Sequence, residues 1–282
     1  MPSPPLSLGF SPCPNDTFIF HALVCGQIPV KEFSLLPPVL ADVETLNGWA
    51  LNGRLDVSKL SFHALGHALD EYVLLGAGAA LGRGCGPLLV TRPGLDPQGL
   101  AQQTIAIPGS YTTAAMLLRL RYPHYRQLVT MPFDRIMPAL LAGEVGAGVI
   151  IHESRFTYAG YGLQLVTDLG VWWEESTGHP IPLGGIVARR GLGREVLLAL
   201  EEAIRLSLQA AWRAPDLAKP YIHAHAQELD PQVIAAHIGL YVNEFSLDLG
   251  PEGRAAIREF LRRGREASIF AAAASHEDIF LT

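Results

Sequence analysis

Leu6-Ser7-Leu8-Gly9-Phe10-Ser11-Pro12-Cys13-Pro14-Asn15-Asp16-Thr17-Phe18-Ile19-Phe20 is the stretch whose reading decides the fold. An apolar run, Leu6 to Phe10, has the length of a strand and stops at two prolines, which fix φ and remove backbone donors. Asn15, Asp16 and Thr17 follow, residue types that cap helix starts, and Phe18 to Val24 continues as an apolar helix. The stretch therefore predicts strand, stiff polar loop and capped helix. Free amides and the positive end of a helix dipole meet at such a loop, which suits an anion such as a carboxylate. Capped turns without ligands are common, so this stretch alone assigns none.

The pattern recurs a hundred residues on. Thr104 to Ile107 reads as a strand, Pro108-Gly109-Ser110-Tyr111 as a turn, and Thr112-Thr113 as the start of a helix over Ala114 to Leu120. The parallel extends further. Trp49 to Val57 and Ala139 to Ala147 share a helix, glycine, strand order, and alignment on Gly53 and Gly143 sets Leu60-Ser61-Phe62 opposite Ile150-Ile151-His152. Two α/β lobes with a cleft between them follow, with ligands expected beyond the carboxyl ends of the strands. Lobe I is expected over 1–102 and 188–282, including the C-terminal helices, and lobe II over 103–187. Connections near 92–103 and 186–190 would serve as hinges. Other strands are expected at Glu32 to Val39, Leu55 to Leu60, Tyr72 to Leu75, Pro87 to Val90, Gln164 to Leu169 and Leu183 to Ala188.

Composition fits this size and class. A chain of 282 residues with 49% hydrophobic residues suffices for two medium lobes. Mean hydropathy is +0.23, yet no apolar run reaches the roughly 18 residues of a membrane span. A net charge of −6 without a basic block argues against nucleic acid as partner. The segment before the first apolar run carries no Lys or Arg, so a cytoplasmic protein is expected. Three cysteines, Cys13, Cys25 and Cys85, form no CxxC pair, which fits a reducing compartment.

For chemistry, Gly148-Val149-Ile150-Ile151-His152 is a buried strand delivering a histidine to a strand end. Histidine is the side chain tuned to move a proton near neutral pH, so His152 is the candidate general base. Cys13 is a weaker candidate nucleophile, with no evident base nearby in sequence. His63 and His67 have helical i, i+4 spacing but no third ligand in sequence, and no metal is expected. The glycine-rich segment Gly76 to Gly86 contains neither a dinucleotide fingerprint nor a P-loop. It reads as a flexible connection.

Ser11-Pro12-Cys13-Pro14-Asn15-Asp16-Thr17-Phe18-Ile19-Phe20, Asp42 to Asn47, Ser58-Lys59-Leu60-Ser61, Pro108-Gly109 with Thr112-Thr113, and Ile150 to Tyr158 together resemble the 1,4-dihydroxy-6-naphthoate synthase family of the futalosine route to menaquinone. The resemblance runs through nearly the whole chain. It implies a periplasmic-binding-protein-like fold and a lyase converting cyclic dehypoxanthine futalosine to 1,4-dihydroxy-6-naphthoate and dihydroxyacetone without a cofactor. It also implies His152 as base, Asn47, Ser61, Thr112 and Thr113 as substrate-binding residues, and Asp16 as a further candidate. The partner would be a small-molecule carboxylate substrate; the oligomeric state stays open. Two alternatives remain at this point: chorismate dehydratase of the same pathway, and a non-catalytic small-molecule binding protein of the same fold.

Overall fold

A computed structural model describes residues 5–95, 97–227, 230–270 and 279–281. The strands are β1 (Leu8–Phe10), β2 (Val39–Leu40), β3 (Val57–Ser61), β4 (Tyr72–Leu74), β5 (Ala80–Gly82), β6 (Leu88–Thr91), β7 (Ile105–Ile107), β8 (Leu128–Thr130), β9 (Ala147–Ile150), β10 (Gln164–Asp168) and β11 (Ile181–Arg189). The helices are α1 (Pro14–Val24), α2 (Val43–Leu51), α3 (Phe62–Ala68), α4 (Thr113–Arg121), α5 (Phe133–Ala142), α6 (Ser154–Thr157), α7 (Leu169–Thr177), α8 (Arg194–Arg213), α9 (Pro215–His225), α10 (Pro231–Tyr241), α11 (Glu244–Leu247) and α12 (Gly250–Glu266).

Two mixed sheets result, one ordered β2-β1-β3-β11-β4 with β5 on β11, the other β10-β6-β9-β7-β8. The internal repeat has a concrete form in them. In the first, β1 pairs in parallel with β2 and β3, and β11 runs antiparallel to β3. In the second, β7 pairs in parallel with β8 and β9, and β6 runs antiparallel to β9. Each half is thus a βαβαβ unit closed by one antiparallel strand. Gly53 and Gly143, the residues that align the halves, both adopt positive φ (56° and 74°) after their helices, a conformation that glycine takes without a Cβ penalty.

Helix starts follow local chemistry. Asp42 caps α2 by accepting from the Glu44 and Thr45 amides, and Thr112 caps α4 by accepting from the Ala115 amide. Helix α1 is buried along nearly its whole length, because α8, α9 and α10 pack over it. Phe10, Ile19 and Phe20 of the opening stretch join Leu200, Ile204 and Leu208 of α8 in one core. The C-terminal helices therefore clamp the opening unit in place.

Sheet membership differs from the lobe boundaries expected above. Leu88–Thr91 pairs with β9 and β10, so the chain enters the second sheet before residue 88 rather than at 103, and β11 is back in the first sheet from Ile181. A short apolar strand reads the same in either sheet, which is why its sequence did not disclose the partner. The expected hinge at 186–190 falls largely inside β11, and the one at 92–103 includes Asp96, which lies outside the described residues. Glu32 to Val39 shortens to Val39–Leu40, since Pro37 and Pro38 remove ladder donors. The segment taken as a flexible connection contains β5. No helix among the described residues is long and apolar enough to cross a membrane.

Candidate active site

The carboxyl ends of β1, β3, β7 and β9 converge on a cavity of about 100 Å³. Asp16, Ser61, Thr112, Thr113 and His152 all line it, as do Lys59, His237 and Tyr241. Asn47 does not line it. It lies fully buried behind Ser61, accepting from the Ser61 amide at 2.9 Å and placing its own Nδ2 3.2 Å from Ser61 Oγ. Because Ser61 Oγ accepts from Asn47, its hydroxyl proton is left to donate into the cavity.

The opening loop is held by a buried polar network. Asp16 accepts from Ser11 N (3.2 Å), Ser11 Oγ (2.8 Å) and Asn15 Nδ2 (2.9 Å), and pairs with Lys59 Nζ at 2.9 Å. Lys59 also donates to the Gly78 carbonyl at 2.9 Å. Both partners are buried, so the pair joins the loop to β3 in a water-poor setting. The carboxylate of Asp16 is thus occupied by protein donors.

The opposite wall is the start of α4. Thr112 Oγ1 donates to Gly109 O at 2.8 Å and Thr113 Oγ1 donates to Leu183 O at 2.6 Å, so each hydroxyl offers only an acceptor to a ligand. The first amides of a helix have no intrahelical partner, and Thr113 and Ala114, the first residues of α4, line the cavity. Glu44 of α2 accepts from the Tyr111 amide at 3.1 Å. Gly109 allows this approach, since a Cβ there would lie 2.3 Å from Glu44 Cδ.

His152 follows β9 with φ of 55°, a left-handed conformation uncommon for a residue with a side chain. The residue lines both this cavity and a smaller neighbouring one. Its Nδ1 lies 3.5 Å from Cys13 Sγ, and Nε2 makes no hydrogen bond among the described residues. Phe133 packs edge-on at 4.9 Å, and burial lowers the pKa below the ordinary histidine value. A neutral ring at neutral pH is the form that accepts a proton. Burial also raises the Cys13 thiol well above its usual range, with Glu153 adding to the effect, so Cys13 is a thiol rather than a thiolate nucleophile.

Sequence reasoning missed His237 of α10. It is fully buried, lines the cavity, stacks parallel to His152 at 6.2 Å and sits 3.0 Å from Asn15 Oδ1 through Nε2. Asn15 Nδ2 is committed to Asp16, so Oδ1 faces His237 and the ring's proton is on Nε2. No local signal marks this residue. His63 and His67, weighed above as a metal pair, are instead packed with Tyr111 and Phe270, and His63 Nδ1 bonds Thr112 O at 3.0 Å. Arg155 bonds Asp168 at 2.7 Å and Gly84 O at 2.8 Å. Cys13, His152 and Glu153 bring sulfur, nitrogen and oxygen within 4.8 Å of one another, the described group able to hold a metal.

Comparison with known proteins bears on the family and the fold. A Thermus thermophilus protein named 1,4-dihydroxy-6-naphtoate synthase is 56% identical over 254 residues, covering 89% of this chain and 91% of its own. A Streptomyces coelicolor protein of the same name is 49% identical over 263 residues, 92% of each chain. A crystal structure of an Archaeoglobus fulgidus protein superposes with a TM-score of 0.88 at 35% identity, over 94% of this chain and 98% of the other. The Escherichia coli periplasmic aliphatic sulphonate binding protein superposes at 0.68 with 12% identity, over 99% and 93%, a likeness of fold alone. The fold is periplasmic-binding-protein-like, and the sequence family called menaquinone biosynthesis matches residues 6–266. On these grounds the chain belongs to the menaquinone biosynthesis family.

Proposed function

We propose that this protein is a 1,4-dihydroxy-6-naphthoate synthase that acts as a carbon–carbon lyase on cyclic dehypoxanthine futalosine, releasing 1,4-dihydroxy-6-naphthoate and dihydroxyacetone, with His152 as general base. The observation that carries the reading is the placement of His152. Its Nδ1 is turned to a thiol, its ring is neutral through burial, and Nε2 is left for a proton on the substrate.

The remaining groups suit the task. Proton removal next to a carbonyl builds negative charge on oxygen, and the Ser61 hydroxyl with the first amides of α4 supplies preorganised donors for it. Thr112 and Thr113 accept from substrate hydroxyls. The helix start also suits a substrate carboxylate. Asn47 acts through Ser61, and Asp16 through Lys59 and the loop. The lobes divide on this reading at the sheet crossings, with β6 to β10 in the second lobe and the cavity between them. A cytoplasmic setting goes with the same reading.

The identity of the relatives favours this assignment over chorismate dehydratase. The test is incubation of purified protein with cyclic dehypoxanthine futalosine, followed by chromatography and mass spectrometry. Both products should appear in equal amounts. Saturable binding of the compound with no product would support a binding protein instead.

A further inference from the structure

A second, smaller cavity of about 40 Å³ shares Ser11, Val43 and His152 with the candidate active site. Cys13, His152 and Glu153 all line it. We propose that these three residues bind a borderline-soft divalent cation such as Zn²⁺, and that its occupancy switches off His152. The first half stands on its own; the second rests on the proposed role of His152 as base.

The ligand atoms there are under-satisfied. Among the described residues the Glu153 carboxylate makes no hydrogen bond, and His237 Nδ1 stands 3.8 Å from it. That nitrogen is buried and has no hydrogen-bond partner among the described residues. Since the His237 proton is on Nε2, Nδ1 presents a lone pair to a carboxylate: two acceptors face each other with nothing positive between them. Cys13 Sγ and His152 Nδ1 meet at 3.5 Å. Zn–S of about 2.3 Å and Zn–N of about 2.0 Å put tetrahedral ligand pairs roughly 3.3–3.6 Å apart, so this pair already has the spacing. The three ligand atoms lie within 4.8 Å of one another, and the unbonded Glu153 side chain is the one left to swing inward.

Charge and hardness select the ion. A thiolate, a carboxylate and a neutral imidazole neutralise a divalent cation, which suits a site whose neighbours, Lys59 and Asp16, already neutralise each other. Sulfur with nitrogen favours Zn²⁺, Co²⁺ or Cd²⁺ over Mg²⁺ or Ca²⁺. Cys13 sits at the N-terminus of α1, whose dipole favours the thiolate once a cation can accept it. Binding must displace the thiol proton. A metal on His152 Nδ1 keeps the remaining ring proton on Nε2, so the ring has no lone pair left for the substrate. The ion therefore disables the base from the neighbouring cavity.

The experiment is titration of the purified full chain with Co²⁺. One equivalent should raise a thiolate-to-cobalt charge-transfer band, with release of a proton in weakly buffered solution. Cys13→Ser should abolish the band, and His152→Asn should weaken binding by about tenfold or more. Cys25→Ser, at an exposed thiol outside the site, should change neither. Circular dichroism checks that each variant is folded, and the wild-type spectrum tests the site even if a variant is not. Absence of a band at millimolar Co²⁺, or a band lost in Cys25→Ser and kept in Cys13→Ser, would overturn the site. With cyclic dehypoxanthine futalosine as substrate, one equivalent of Zn²⁺ should reduce wild-type turnover by at least about tenfold, with recovery on chelation. Full turnover with the site loaded would overturn the switch. If the metal-free protein shows no turnover, the proposed function fails while the cobalt spectrum still decides the site.

Discussion

Replacing Lys59 by Met should destabilise the protein far more than loss of a surface ion pair. Lys59 is buried against Asp16 at 2.9 Å and donates to Gly78 O. Its removal leaves the Asp16 carboxylate buried with donors from Ser11 and Asn15 but no cation. Stranding one member of a buried pair costs about 3–5 kcal/mol, whereas an exposed pair is worth about 0–1 kcal/mol. At roughly 2 °C per kcal/mol for a chain of this size, the melting temperature should drop by about 8 °C. Asp16→Asn should have a cost of the same order, because it strands the ammonium. The double variant should recover much of the loss, since no lone charge remains. Urea unfolding of the four proteins gives the coupling directly. A loss below about 1 kcal/mol in Lys59→Met, with additive effects in the double variant, would refute the buried-pair account.

Two further outcomes follow from the histidines. His63 has its pKa lowered to about 4 by burial, so the unfolded chain binds the proton first. Its contribution is present above the ordinary histidine pKa and is lost as pH falls toward 4, about 3 kcal/mol in all. His63→Asn, whose amide can still donate to Thr112 O, should therefore show a shallower loss of stability over that window; an unchanged slope would contradict it. For the reaction, the base must be neutral, and the His152 pKa lies below 6.5. Activity should be full at neutral pH and fall on the acid side with a midpoint under 6.5; a midpoint at 7 or above would point to a different group.

How much of this was legible in the sequence depends on how local each signal is. The strand, loop and helix order of the opening unit, the start of α4 at Thr112 and Thr113, and the repeat aligned on Gly53 and Gly143 rest on neighbours within a few residues and appear in the fold. The cap expected from Asn15, Asp16 and Thr17 does not: α1 begins at Pro14, Cys13 holds the cap position without a side-chain hydrogen bond, and Asp16 turns to Ser11 and Lys59 instead. Sheet membership of Leu88–Thr91 rests on partners some sixty residues away at β9, and the strand carries no mark of them. The same holds at the site. His152 is recognisable from its strand, but its contact with Cys13 spans 139 residues and that of His237 with Asn15 spans 222. Asn47 reaches the cavity wall through its bonds to Ser61 rather than lining it, a relation that a motif cannot distinguish from direct contact.

The central claim is that His152 removes the proton that starts cleavage. His152→Asn is the appropriate change, because Asn tolerates the left-handed backbone found there and removes the ring nitrogens. The decisive measurement is single-turnover cleavage of cyclic dehypoxanthine futalosine by this variant, with substrate binding measured separately. The account predicts a rate about 10²–10⁴-fold lower, with affinity changed by no more than a few fold. A variant that cleaves at the wild-type rate would contradict it.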